Sequence, residues 1–250
     1  MKIALAGTGN VATVLGRLFS RAGHNIVSVS GRNLAHAECL AKELGAKACS
    51  FAAIDDADII IIAVSDGAIE DCAKEIIYKC PMVHTAGSVP SAVLRPFSEQ
   101  HGVLYPLQSL RKEMEYLPEI PFLVNGSDET VTLVLEELCN SVPAQARRCD
   151  DESRRRIHLS AVIVSNFTNH LYALAEKFCN ESNTDFSLLH PLIEETATRL
   201  KYASPSALQT GPAVRNDATT IDAHLQLLRD DERLREVYAF ITNSIRFRLH

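Results

Sequence analysis

Three stretches of this 250-residue chain have the residue types and spacing to do chemistry. The first is Gly7-Thr8-Gly9-Asn10-Val11-Ala12, a GxGxxA pattern. Between a strand and a helix, such a turn binds a dinucleotide pyrophosphate. Gly7 makes the tight turn, Gly9 lets the backbone approach the phosphates, and Ala12 keeps the helix close to the sheet. The charge would fall on the free N–H groups of the helix N-terminus.

The second stretch, Ser30-Gly31-Arg32-Asn33, falls where the second strand of a dinucleotide fold meets the adenine ribose. An acid there favours NAD, and an arginine nearby accommodates a 2′-phosphate. The acid is missing, Ser30 takes its place, and Arg32 follows. A guanidinium can grip phosphate with two hydrogen bonds, and Ser30 and Asn33 add uncharged donors. This predicts NADP(H) over NAD(H).

The third set is a row of polar clusters, each ending an apolar run: Val64-Ser65-Asp66, His84-Thr85-Ala86-Gly87-Ser88 and Tyr105-Pro106-Leu107-Gln108. Ligands of open α/β sheets bind outside the carboxyl ends of the strands. Val64, Ser65, Asp66, Thr85 and Gly87 would face a nicotinamide, and Ser88, Tyr105 and Gln108 a substrate. Hydride transfer to C=O or C=N also needs a proton, which His84 could give near neutrality, or Tyr105 if its pKa were lowered. The bland alternatives stay open: Asp66 as a helix N-cap, His84 as a core histidine, Tyr105 as packing with a tethered hydroxyl.

The elements that must position these residues are legible from periodicity. Lys2–Ala6 reads as a buried strand, and Val11, Val14, Leu15, Leu18 and Phe19 recur at helical spacing. Asn25–Ser30 is a second strand, followed by a helix from Leu34 to Leu44 that Gly45 closes. Asp58–Ser65 is apolar on both faces, as in a parallel sheet covered on both sides. Short strands follow at Ala46–Cys49, Met82–Thr85, Gly102–Tyr105, Phe122–Asn125 and Ala144–Cys149, with a helix capped by Ser127 or Asp128. The alternation predicts an α/β fold, a doubly wound Rossmann-type sheet followed by a smaller all-helical domain. The expected boundary divides 1–151, a dinucleotide-binding domain, from 152–250, a helical substrate and dimerisation domain.

Glu152–Asn180 reads as one long helix, almost wholly apolar from Ile157 to Ala175 and so expected to be buried on most sides. It is interrupted by Ser165-Asn166-Phe167-Thr168-Asn169-His170. Asn166 and His170 share a face, as do Ser165 and Asn169, and buried polar groups must find partners in a ligand, a helix or a second subunit. Further on, Arg215 sits in Gly211–Asp217. It could clamp a substrate carboxylate or pair with Asp217.

A net charge of −6 without a basic block argues against nucleic acid as a partner. Arg147, Arg148 and Arg154–Arg156 read as a solvated strand end and helix start. Seven cysteines, none spaced CxxC, argue against a disulfide framework or a metal site and for reduced thiols in a cytoplasmic protein. No apolar run is long enough to span a bilayer, and Met1 leads straight into the first strand.

The segments LAGTGNVA, VSVSGRN, AVSDGAI, HTAGSVPSAVL, GVLYPLQSL, SNFTNHLYALAE and TGPAVRNDATTIDAHL together carry a resemblance. They are similar to the provisionally named NADP oxidoreductases that join a Rossmann-like domain to a helical C-terminal domain of unknown function. More distantly the chain resembles pyrroline-5-carboxylate reductase, ketopantoate reductase and the β-hydroxyacid dehydrogenases. The resemblance implies NADP binding, a helical dimerisation domain and a substrate cleft between the two domains. The hydroxyacid dehydrogenases use a lysine and an asparagine one turn apart on the long helix. Asn166 and Asn169 are available here, but the nearest lysine, Lys177, is two turns further on. The expected protein is an NADP(H)-dependent oxidoreductase of a small carbonyl or imine compound. Two alternatives stay open: a sensor or scaffold that holds NADP(H) without turnover and, ranked below it, a deazaflavin- or flavin-linked variant.

Overall fold

The computed structural model describes residues 1–114, 116 and 118–247. It divides by contact density into two units, Met1–Phe167 and Thr168–His250. The first unit is built on one eight-stranded sheet: β1 (Lys2–Ala6), β2 (Asn25–Ser30), β3 (Lys47–Cys49), β4 (Ile59–Ile62), β5 (Met82–His84), β6 (His101–Pro106), β7 (Ile120–Gly126) and β8 (Ala144–Arg148). Their order across the sheet is 3-2-1-4-5-6-7-8. β1 to β6 run parallel, β7 is antiparallel to β6, and β8 is parallel to β7.

The alternation of side chains across a strand separates two cores. Ile3, Leu5, Ile59 and Ile61 enter the layer covered by α1 (Asn10–Arg21), α2 (Leu34–Leu44) and, further along the sheet, α4 (Glu129–Asn140). Ala4, Ala6, Ile60 and Ile62 face the other way, toward Ile69, Cys72 and Ala73 of α3 (Ile69–Glu75). That is why the IIII run of β4 shows no polar face. The chain order reverses direction between β2 and β4 on either side of β1. The crevice at the carboxyl ends of β1 and β4 is therefore the switch point at which a doubly wound sheet takes its ligand.

The local signals act as their chemistry requires. Gly45 ends α2 in the left-handed conformation at φ 66°. Asp128, rather than Ser127, caps α4 by accepting from the Val131 amide at 2.9 Å. Asn33 caps α2 by accepting from the His36 amide at 3.3 Å. After Asp150 the first unit continues as α5 (Asp151–Ala161) and a π-helical stretch, Val162–Phe167. Three readings change here. The stretch after β4 opens as a 3₁₀ turn at Asp66–Ala68, with α3 starting only at Ile69. The helix that follows Asp150 is not buried on most sides: Leu159, Ile163, Val164 and Phe167 are all at least half exposed. Arg154, grouped above with solvated charges, has no exposed surface at all.

The second unit is helical: α6 (Thr168–Glu181), α7 (His190–Thr198), α8 (Pro205–Leu208), α9 (Ala218–Leu227) and α10 (Glu232–Phe247). Asp217 caps α9 by accepting from the Thr220 amide and hydroxyl, and the charge of Arg215 also acts on its carboxylate. His224 and Tyr238 share a 2.8 Å hydrogen bond between α9 and α10, so His224 is structural. Lys177 is held by Asp231 at 2.7 Å. Among the described residues no cysteine is paired and no His, Cys, Asp and Glu group could hold a metal. No helix among them is long and apolar enough to cross a membrane.

Candidate active site

Two clefts open at the carboxyl ends of the parallel strands. The first, of about 440 Å³, is lined by Gly7 to Val11, by Gly31, Arg32, Asn33 and His36, and by Val64 and Ser65. Gly7 stands at φ 136°, and its amide donates to the Ser30 carbonyl at 2.7 Å. A Cβ on Gly7 would lie 2.2 Å from the Ala63 carbonyl oxygen, so only glycine lets the turn pass the end of β4. Gly9 faces open space. As the N-cap of α1 it offers no side-chain acceptor, which leaves first-turn amides for an anion. A bare amide cluster beside an open glycine is what a diphosphate requires, so these residues fit a dinucleotide.

At the end of β2, Arg32 and Asn33 are exposed on the cleft. Asn33 spends its carbonyl on the cap and keeps its NH₂ for a ligand. Ser30 does not contribute as expected. It is fully buried, and its hydroxyl donates to the Leu5 carbonyl at 3.3 Å. His36, three residues past the cap, lines the same cleft. The sequence reading passed over it, although the spacing N-x-x-H from an N-cap places the ring on the first helical turn.

The second cleft, of about 510 Å³, is lined from the sheet by Thr85, Tyr105, Pro106, Leu107, Gln108 and Ser109. From the helix it is lined by Ile157, His158, Ser160, Ala161, Val162, Val164, Ser165 and Asn166. Val11 belongs to both clefts, so they adjoin at the start of α1. Of the expected residues, this cleft gathers Thr85, Tyr105, Gln108 and Asn166. Gln108 is tied locally, accepting from the Ser109 amide and donating to the Glu119 carbonyl. Asn169, His170 and Arg215 belong to the second unit, where Asn169 and His170 are exposed.

Behind the cleft the loop after β5 is fixed to α5. Asp151 accepts from the Ser91 amide at 3.1 Å and pairs with Arg154 at 2.8 Å, and Arg154 donates to the Val89 carbonyl. Burial pushes the Asp151 carboxyl up, but the Ser91 amide and Arg154 outweigh it and hold the group below the usual carboxylate range.

His84 is part of this scaffold and not a proton donor. It is fully buried; Nδ1 accepts from the Ala86 amide at 3.2 Å and Nε2 donates to the Pro90 carbonyl at 3.3 Å. Burial, with Arg154 nearby, pushes it down to about 4, so it is neutral at neutral pH with both nitrogens committed. Asp66 does not cap a helix; it accepts from the Ser88 hydroxyl, and both side chains stand exposed outside the two clefts. Tyr105 is the candidate whose polar end does meet the cleft. Its hydroxyl and Nδ1 of His158 share a hydrogen bond of 2.9 Å, with the rings edge to face. Burial and then Asp66 push the phenol above its ordinary range, so it stays protonated. Gly87 makes the pair possible, since a Cβ there would sit 2.6 Å from His158 Nδ1.

A strand–glycine turn–helix at the switch point, with a second cleft beside it, defines a dinucleotide-dependent oxidoreductase. Residues 2–82 match the family described as NADP oxidoreductase coenzyme F420-dependent, and residues 120–245 match a domain of unknown function, DUF2520. The chain is 34% identical to BF3122 of Bacteroides fragilis, provisionally described as an NADP oxidoreductase, over 98% of this chain and 97% of that one, with TM-score 0.90. The chain belongs to this family of NADP oxidoreductases. The 1-pyrroline-5-carboxylate reductase of Streptococcus pyogenes shares its fold at TM-score 0.65 and 16% identity, covering 99% and 97% of the two chains. So does a reductive aminase of Aspergillus terreus, solved with NADPH and ethyl-5-oxohexanoate, at TM-score 0.72 and 14% identity, covering 98% and 92%. None of the curated proteins compared matches the chain.

Proposed function

We propose that this chain is an NADPH-dependent reductase of a small carbonyl or imine compound, working reversibly in the second cleft. The observation that carries this is the shared wall at Val11, which sets a substrate-sized space against the cofactor cleft. Gly7, Thr8, Gly9, Asn10 and Val11 hold the diphosphate, Arg32 and Asn33 the 2′-phosphate, and Val64, Ser65 and Thr85 border the nicotinamide. When bound, NADPH supplies the hydride. The protein's part is to orient substrate between Tyr105 and Gln108 on the sheet side and Ser165 and Asn166 on the helix side. Apolar residues such as Pro106, Leu107, Ile157 and Val162 shed water from the space between.

Residues 1–151 serve as the nucleotide domain and 152–250 as the substrate and dimerisation domain, with the cleft at their seam. Leu188, Leu192, Tyr202 and Phe240 each leave more than half of their surface exposed, which fits a homodimer through the helical part. Light scattering that returns a monomer would remove the dimer.

The test is NADPH oxidation by the full chain with cyclohexanone, cyclohexanone plus allylamine, and pyruvate. Turnover of any one supports the reading. Silence on all three, with tight NADPH binding, favours a non-catalytic NADP(H) sensor. The cofactor choice has its own test. Arg32→Ala is expected to weaken NADPH about tenfold or more, the worth of a charge-assisted bond to phosphate, and to leave NADH unchanged. Equal affinity of the wild type for NADPH and NADH would refute the assignment of Arg32.

A further inference from the structure

The cleft's titratable groups point to how a proton reaches the substrate. Among the residues lining it, only Tyr105 and His158 are ionisable, and they are bonded to each other. They come from different elements, β6 and α5, so nothing in their sequence spacing brings them together. Gly87 adds to this, because any other residue there would displace the His158 ring or the hydroxyl-bearing carbon of Tyr105, 2.9 Å from a Cβ. The backbone thus yields space to a polar pair at the floor of an otherwise uncharged cleft. A half-buried tyrosine hydroxyl finds a hydrogen-bond partner, and here that partner is itself a side chain of the cleft. The partner is an imidazole, a group able both to give and to take a proton, edge to face with the phenol ring.

We propose that Tyr105 is the proton donor of the reduction and that His158 is the relay that reloads it, an inference resting on the reductase reading above. When bound, NADPH would supply the hydride for the new C–H bond of a C=X group, X being oxygen or nitrogen. The π pair moves onto X and takes the Tyr105 Oη proton, forming X–H. Oη regains a proton from His158 Nδ1. The imidazolium becomes neutral imidazole, keeps its Nε2–H, and is reprotonated from water. The sum is C=X plus NADPH plus one proton, giving HC–XH and NADP⁺. Asp66 from the turn after β4 and Arg154 from the preceding turn of α5 are the charged groups that act on the Tyr105 hydroxyl, with opposite signs. Asp66 favours the protonated phenol that the donor role requires. His158 meets a side-chain hydroxyl in the cleft, in contrast with His84, whose two nitrogens are locked to backbone. The mechanism therefore needs His158 charged, and the rate must fall as pH rises through its titration.

Two measurements on the full chain with NADP(H) decide it. The first is the pH dependence of kcat for cyclohexanone with allylamine in the wild type, His158→Gln and Tyr105→Phe. The wild type should lose tenfold per pH unit on the alkaline side. His158→Gln should be about 100-fold slower at its best and flat in pH, as expected for loss of a general acid. Tyr105→Phe should be slowed to a similar degree, and both variants should bind NADPH as the wild type does. A His158→Gln enzyme with wild-type rate and pH profile overturns the relay. The second measurement needs no turnover: an NMR titration of the imidazole signals in the NADP⁺ complex, with His158 assigned by its absence in His158→Gln. Tyr105→Phe should move the midpoint of the His158 signal, and an unchanged midpoint overturns the pairing. If the wild type is inactive on every compound, the reductase reading fails and the relay with it. Activity with unmoved NMR and pH behaviour leaves the reductase standing and removes the relay alone.

Discussion

Gly7→Ala is expected to abolish NADPH binding and to cost the fold about 2–6 kcal/mol, the sum of backbone strain and overpacking. Two independent features set this size. The residue stands at φ 136°, a conformation open to glycine and closed to alanine. The added Cβ would lie 2.2 Å from the Ala63 carbonyl oxygen and 2.7 Å from its carbon, both backbone atoms that cannot rotate away. The turn would have to lift from the end of β4, and with it the amides that open α1 and are proposed to hold the diphosphate. The Gly7 amide would also lose its 2.7 Å bond to Ser30. A typical domain has 5–15 kcal/mol to lose, so the variant should be marginal even without ligand. Thermal unfolding and fluorescence titration with NADPH check this. A variant that melts and binds as the wild type does would show that the close approach is not required.

The second large effect is on stability against pH. His84 is neutral in the native state, with burial and then Arg154 holding it down to about 4. In the unfolded chain a histidine titrates near 6.5. Between these values the unfolded state binds the extra proton, so stability rises with pH and is lost as pH falls. The slope is about 1.4 kcal/mol per unit and the total about 3 kcal/mol, fully lost only below the native value. At neutral pH and above the group imposes no such penalty. His84→Gln should be less stable than the wild type at pH 7, since the Pro90 and Ala86 bonds are weakened. The gap should then shrink by about 3 kcal/mol on going to pH 4. Urea unfolding of both proteins across this range gives the answer. A constant gap would mean that His84 is charged in the native state.

The site divides along the same line as these two residues. Gly7 announced its role because a strand, a glycine turn and a helix follow one another along the chain, and contacts near in sequence leave a periodic trace. The helix bounds of α2, the cap at Asp128 and the position of Arg32 were legible for the same reason. The resemblance carried the family. It could not say which polar residue faces which way. Ser30 ends its strand at the expected place, yet the pleat turns its hydroxyl inward to Leu5. His84 also ends a strand, but the loop returning through Pro90 consumes both of its nitrogens.

His158 was missed altogether, because in the sequence it is one polar residue in an apolar helical run. Only the docking of α5 across the end of β6 makes it a neighbour of Tyr105. Arg154 was misread for a related reason: three arginines in a row look solvated, and one of them faces the loop after β5. The sequence by itself determined the strand order's ingredients and the strand–glycine turn–helix that opens the chain, since each rests on residues within one turn of each other. The tertiary structure decided which side chains line the second cleft and which are spent on holding it. For Tyr105 with His158 and Ser91 with Asp151 that depends on pairings more than fifty residues apart, where hydrophobic periodicity carries no record of the partner.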